Sequence, residues 1–304
     1  MQTVVNMIKY GDQKWGGTDM SILHSALLGI IQGLGEFLPV SSSGHLLLSR
    51  IFLEIQTDSP AMKMLDILLH AGTLIPILIV FRKEWADMIL HPIRNKSILL
   101  LLIASLPTLG IYVAAKKVFP EVNGFAVFDN GWFLGTSFLI TAVFLLLCDR
   151  ISARQSGGHA VYVGYAQAFV MGLFQGIGMI PGISRSGSTI LGGVMTGLNK
   201  KTAASFSFMM SAPAIAGSLL LEGKDALELG YFEQIEFFPT LVGVLLAAVV
   251  GYVAIRFMLR IITNVPLSWF ALYLALIGLL YLTLQFTGSS MVPEYSVTKV
   301  IPAA

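Results

Sequence analysis

Two short stretches hold the side chains that could do chemistry. In the first, Gln32 and Glu36 stand four residues apart, so on a helix they share one face, a turn apart, and both offer oxygen. Pro39 follows, then Ser41, Ser42, Ser43 and Gly44, with His45 opening the next apolar run. Small residues with free N–H groups at a helix start suit an anion. Capping accounts for one or two of these serines, but not for a histidine beside the same break. The second stretch, Pro181 to Thr189, reads P-G-I-S-R-S-G-S-T. The forked donors of Arg185 match phosphate oxygens, and Ser184, Ser186, Ser188 and Thr189 add hydroxyls around it. Together the two stretches suit phosphoryl chemistry: arginine and a metal neutralise the moving group while a side chain or water attacks. An oxygen-only ligand set, Glu36 with Gln32, points to a divalent cation, magnesium first and calcium second, rather than zinc. His24, His70, His91 and His159 lie far apart in sequence, with no partner at zinc-ligand spacing.

Plainer readings stand beside these. Glu36 can be neutral and hydrogen-bonded within a helix bundle. Arg185 can pair with Glu36 simply to hold the two stretches together, and such a pair can still release its arginine to an incoming anion. Asp66 and His70, four residues apart, fit a structural hydrogen bond and an outer wall of the site equally well.

The two stretches are copies. Residues 29–44 and 172–187 align without gaps at an offset of 172 − 29 = 143, sharing Gly29/Gly172, Gln32/Gln175, Gly33/Gly176, Gly35/Gly178, Ser41/Ser184, Ser43/Ser186 and Gly44/Gly187. Each runs from an apolar segment through Pro, Ser and Gly into a second apolar segment, the pattern of helix, break and helix.

The elements around them are set by hydrophobicity. The 304 residues are 55% hydrophobic and 12% charged, with mean hydropathy +0.78. A water-soluble core cannot hide so much apolar surface, so the chain is an integral membrane protein. Its net charge of +2 gives no reason to expect nucleic acid as a partner. The single cysteine, Cys148, ends an apolar run and reads as a packed free thiol. Six stretches approach the ~20 residues a spanning helix needs: about 63–82, 97–116, 131–148, 201–221, 237–256 and 267–286. Pro76, Pro107 and Pro213 fall inside spans and read as kinks. Phe206, Phe208, Met209 and Met210 read as packing or lipid contact.

The copied units, about 21–54 and 161–198, are cut near their middles into halves too short to cross, so each reads as a re-entrant hairpin. One hairpin plus three spans reverses the starting side, which makes the two halves inverted repeats with a site near the midplane where the breaks meet. The expected fold is therefore an all-α polytopic membrane protein: an inverted-topology repeat with six transmembrane helices and two re-entrant helix-loop-helix hairpins. Its domains are a polar extension over 1–20, with Met20 as an alternative start, one membrane domain over 21–290 (repeats about 21–150 and 161–290) and a polar tail over 291–304. Basic residues, including Arg82, Lys83, Arg94, Lys96, Arg150, Lys200 and Arg260, cluster on one side, while a loop expected on the other, Glu222 to Glu236, carries five acids and Lys224. The positive-inside rule then puts both termini outside.

These motifs resemble the undecaprenyl-pyrophosphate phosphatases of the bacitracin-resistance type, bacterial membrane enzymes that recycle the lipid carrier of peptidoglycan. Q-G-L-G-E-F-L-P-V-S-S-S-G-H carries the first family motif at Gln32 and Glu36, Pro181 to Thr189 matches the second residue for residue, and the family histidine falls on His45. Many relatives have Glu where this chain has Gln32, which removes one ligand charge. The resemblance, over roughly 21–290, implies hydrolysis of undecaprenyl diphosphate to the monophosphate and inorganic phosphate at the outer face of the cytoplasmic (inner) membrane. It implies that Glu36, with Gln32, serves the metal, that Glu36 also serves catalysis, and that Arg185 holds the pyrophosphate with Ser184, Ser186, Thr189, Ser41 and Ser43. His45 and Ser42 are its two candidates for nucleophile or acid–base residue, and it does not choose between them. Bacitracin would compete by sequestering the substrate lipid, and a homodimer is compatible with the family. A transporter or flippase of undecaprenyl phosphate is the alternative, since inverted repeats with broken helices are also transporter architecture.

Overall fold

The structure, a computed structural model, describes residues 21–55, 59–92, 94–118, 131–155, 160–289 and 292. The extension expected over 1–20 and, Val292 apart, the tail from 291 lie outside the described residues, as does His159.

Eleven α-helices form from these residues: α1 (Ile22–Phe37), α2 (Ser42–Phe52), α3 (Pro60–Val80), α4 (Arg82–Leu90), α5 (Ser97–Val118), α6 (Leu134–Arg154), α7 (Tyr165–Ile177), α8 (Arg185–Met195), α9 (Lys200–Glu228), α10 (Phe237–Ile261) and α11 (Ser268–Phe286). No sheet accompanies them among the described residues, only an isolated bridge from Ala160 to Leu198. Helix starts are capped as their sequences ask: Ser21, Ser59 and Asn199 accept the backbone N–H three residues on, and Pro60 sits where its missing N–H costs nothing.

Six helices, α3, α5, α6, α9, α10 and α11, are long and apolar enough to cross a membrane. They coincide with the six expected stretches, and the chain is a multi-pass membrane protein. Two boundaries differ from expectation. The segment from Glu222 is not all loop, because α9 continues to Glu228 and a 3₁₀ turn follows at Tyr231–Gln234. The apolar run ends where the acids begin, but a helix needs no apolar surface to continue, and Lys224 faces Glu228 at 3.6 Å one turn on. Likewise α4 follows α3 almost without interruption, as a short helix among the basic residues between two spans.

The four remaining helices come in pairs. At ~1.5 Å per residue, α1 with 16 residues, α7 with 13, and α2 and α8 with 11 each fall short of a ~30 Å hydrocarbon core. The halves pack crosswise: α1 lies along α10 and α7 along α5, so each first short helix rests on the second long helix of the other half. The shared glycines allow it. A Cβ on Gly29 would come within 2.2 Å of the Gly243 carbonyl oxygen, and one on Gly172 within 2.1 Å of that of Ala104. Equivalent helices also meet directly, α3 on α9 and α6 on α11.

Near the end of α6, Asp149 accepts Lys200 Nζ at 2.5 Å from the start of α9 and the Ser268 N–H at 2.8 Å from the start of α11. These three helix ends lie on one side of the bundle. Pro76, Pro107 and Pro213 each lie inside a continuous helix. Cys148 is a buried free thiol, and Phe206, Phe208, Met209 and Met210 are core residues rather than lipid-facing ones.

Candidate active site

The site is built where the two breaks meet. α1 ends at Phe37 and α2 starts at Ser42; α7 ends at Ile177 and α8 starts at Arg185. Ser41 caps α2 by accepting the Gly44 N–H at 3.3 Å, and its register partner Ser184 caps α8 by accepting the Gly187 N–H at 3.1 Å. The two turns are made differently. The second break places Gly182 at φ +87, where a glycine carries no Cβ penalty. Its register partner is Pro39, whose ring holds φ near −65°, so the first break makes its left-handed turn at Ser41 instead, with φ +71. The Ser41 carbonyl is held there by the His45 backbone N–H at 3.2 Å and His45 Nδ1 at 2.8 Å.

Glu36, only 6% exposed, is the hub. Its Oε1 forms an ion pair with an Arg185 Nη2 from the other half of the chain. Its Oε2 accepts Ser42 Oγ at 2.8 Å and Gln32 Nε2 at 3.1 Å, and His70 Nε2 stands 3.9 Å away. A carboxylate, a hydroxyl, a guanidinium and an imidazole thus converge from α1, α2, α8 and α3. A buried carboxylate is tolerable only with such partners.

Other residues expected at the site have hydrogen-bond partners other than Glu36. His45 donates from Nδ1 to the Ser41 carbonyl, so its Nε2 is the acceptor for the Tyr273 hydroxyl at 2.8 Å, and the two rings stack at 5.6 Å. Two hydroxyls of the second break bond backbone carbonyls, Ser188 that of Ser184 at 2.7 Å and Thr189 that of Arg185 at 2.8 Å, and Thr189 also lies 2.6 Å from Ser207 Oγ. Ser184 lies 3.2 Å from Ser186, and Ser43 3.4 Å from Ser41. Ser186 ties the breaks together by donating to the Leu38 carbonyl at 3.2 Å.

Asp66 and His70 separate in role. The Asp66 carboxylate takes both Nη atoms of Arg50, Nη1 at 2.8 Å, while His70 Nδ1 donates to the Asp66 carbonyl at 2.8 Å and turns its other nitrogen to Glu36. Arg50 is 4% exposed, more deeply buried than Arg185, whose side chain is 21% exposed. The sequence hint for Arg50 was a cation at the end of an apolar half-helix with an acid 16 residues on; Tyr273, 228 residues from His45, left no local hint.

A divalent cation fits this donor set in a limited way. Among the described residues, no group of three or more His, Cys, Asp or Glu could hold a metal. Glu36 supplies one carboxylate, and Gln32, fully buried, keeps its Oε1 without a hydrogen-bond partner. One or two protein oxygens, the rest of the shell coming from water and phosphate, is how magnesium is usually held.

Residues 25–280 match the model of the family described as bacitracin resistance protein BacA. The chain belongs to the BacA family. The match takes in both breaks and every residue placed above from Gln32 to Tyr273. Among BacA relatives, undecaprenyl-diphosphatase 4 of Bacillus thuringiensis subsp. konkukian is 38% identical over 269 residues, covering 88% of this chain and 99% of the relative. The undecaprenyl-diphosphatases of Carboxydothermus hydrogenoformans and Rhodopirellula baltica are 37% identical over 271 residues and 36% over 266, covering 88% and 87% of this chain and 99% and 98% of the relatives.

Proposed function

We propose that this BacA-family chain is an undecaprenyl-diphosphate phosphatase, hydrolysing undecaprenyl diphosphate to undecaprenyl phosphate and inorganic phosphate. One observation carries the reading: Glu36 holds a hydroxyl on one oxygen and a guanidinium on the other, each from a different half of the chain. The relatives' names supply the substrate.

The chemistry follows from the contacts. The incoming diphosphate draws Arg185 from Glu36, and the guanidinium fork binds phosphate oxygens where charge gathers in the transition state. Ser42 Oγ attacks the terminal phosphorus while its proton passes to the Glu36 carboxylate, to which it already donates. The bond from that phosphorus to the bridging oxygen breaks, and undecaprenyl phosphate leaves with the electron pair. The leaving phosphate takes the proton from Glu36. Water then attacks the phosphoserine, giving one proton to Glu36, which returns it to the Ser42 oxygen as the P–O bond to serine breaks and inorganic phosphate is released. A divalent cation on Glu36 and Gln32 supplies, when bound, further positive charge against the phosphate oxygens. His45, with both nitrogens engaged, acts here by fixing the Ser41 carbonyl and so the start of α2, rather than by attacking.

In this reading the α1–α2 and α7–α8 pairs are re-entrant hairpins of inverted repeats, meeting at mid-membrane depth in the bacterial cytoplasmic membrane. Both termini lie outside, and the headgroup is cleaved at the outer face. The common side shared by the ends of α6, α9 and α11, where Arg150, Arg154, Lys200 and Lys201 gather, supports that orientation. The tail stays in lipid, since each CH₂ kept from water is worth ~0.8 kcal/mol. Bacitracin, by sequestering the diphosphate lipid, would deny the site its substrate.

Purified protein in detergent with magnesium should release phosphate from undecaprenyl diphosphate, and Glu36→Ala and Arg185→Ala should each abolish most of that rate. Near-normal turnover in either variant overturns the assignment. Transport of undecaprenyl phosphate, the other use for such a site, needs no bond cleavage and would yield no phosphate in this assay.

A further inference from the structure

His70 is held in a way that its spacing from Asp66 does not explain. The Asp66 carboxylate is taken by Arg50, and His70 Nδ1 bonds the Asp66 backbone carbonyl at 2.8 Å instead. A carbonyl only accepts, so Nδ1 carries a hydrogen, and on the neutral imidazole Nε2 presents a lone pair. That lone pair is 3.9 Å from Glu36 Oε2, itself an electron-pair donor. Two donors facing each other across such a gap leave room for a positive group between them. A third donor adjoins the gap: Gln32 is fully buried, its amide lies against Oε2 at 3.1 Å, and its Oε1 has no partner. Turned over, that amide would bring Oε1 to the same place, about the separation of neighbouring oxygens on a cation with ~2.1 Å bonds. An imidazole whose second N–H is anchored on a backbone carbonyl is the usual support of a metal-bound histidine.

We infer that His70 Nε2 is a direct ligand of the divalent cation, beside Glu36 Oε2 and Gln32 Oε1, and that this nitrogen makes the site favour manganese-class ions over calcium. The inference rests on the proposed cation at Glu36 and deepens it. One carboxylate and a neutral amide are a weak oxygen set for calcium, which seeks six to eight oxygens, whereas imidazole suits borderline transition ions. The side chain of His70 is a third exposed, which leaves the remaining coordination positions open to water and phosphate.

The test uses the full chain in detergent with metal alone. Manganese and calcium affinities are measured by titration calorimetry, and electron spin-echo spectroscopy of bound manganese looks for modulation from a directly bound nitrogen. The wild type should show that modulation and bind manganese more tightly than calcium. His70→Ala should abolish the modulation and weaken manganese at least ~10-fold while changing calcium less than ~3-fold. His70→Gln, which keeps a side chain of similar reach, should also lose the modulation and guards against a folding defect. Manganese bound without nitrogen modulation in the wild type, or unchanged manganese affinity in both variants, overturns the inference. If Glu36→Gln abolishes binding while the His70 variants do not, only His70 falls; if the wild type binds neither ion, the cation at Glu36 falls with it.

Discussion

Ser42 and Arg185 are the same position of the duplicated unit, 185 − 42 = 143 residues apart, and both bond Glu36, one on each oxygen. Each is the first residue of the helix after a break, and each has its Cα packed beneath a shared glycine, Gly35 or Gly178. Glu36 has no such twin, because its register partner is Met179. The two copies share this frame in sequence and in their glycine contacts, and Glu36 is a departure from it. Four predictions follow from that frame and its contacts.

Ser42→Ala removes the hydroxyl that donates to Glu36 and should lower kcat for phosphate release by at least ~100-fold. His45→Ala and Tyr273→Phe, which loosen the support of Ser41, should cost much less. If His45→Ala proves the more damaging, the attacking group is the imidazole and not the hydroxyl.

Arg185→Lys keeps the charge but loses the planar fork that can grip two phosphate oxygens at once. Steady-state kinetics should show kcat/KM lowered ~10- to 100-fold, the outcome expected of a residue proposed to grip phosphate by geometry as well as charge. Wild-type kinetics in the lysine variant would mean that a point charge is enough.

Glycine at the two crossings is a matter of space. A Cβ on Gly35 would sit 2.7 Å from Ser42 Cα, and one on Gly178 2.6 Å from Arg185 Cα, both against backbone that cannot swing aside. Gly35→Ala and Gly178→Ala should each destabilise by ~1–3 kcal/mol and displace the residue below, Ser42 or Arg185. Gly110 and Gly217, where a Cβ meets nothing within 4 Å, should accept alanine with no loss of melting temperature. Equal tolerance at all four would mean that the backbone at Gly35 and Gly178 gives way to a methyl group.

Asp66→Asn removes one partner of the buried pair with Arg50. Breaking such a pair costs ~3–5 kcal/mol when it is fully buried, and less here because the Asp66 side chain is a third exposed. Thermal unfolding in detergent should show a lowered midpoint, and Arg50→Met combined with Asp66→Asn should recover part of it. An unchanged midpoint in the single variant would show the pair to be dispensable.

Much of this protein was legible in one dimension. Hydrophobic length marks the six spans, and the repeated glycines, prolines and serines mark the two breaks, because composition and local backbone preference act over a few residues. The motifs likewise named Glu36, Ser42 and Arg185. Local order also left their partners open: the hydroxyls of Ser184, Ser188 and Thr189, grouped around Arg185 in sequence, cap and brace their own helix. What only the tertiary structure decided is which side chains meet. Glu36 finds Arg185 across 149 residues (185 − 36), His70 turns from the Asp66 carboxylate to Glu36, Arg50 is buried on Asp66, and Tyr273 takes His45. Such meetings depend on how α1, α2, α3, α8 and α11 cross one another, and crossing is set by the summed fit of many apolar contacts that no short stretch of sequence contains.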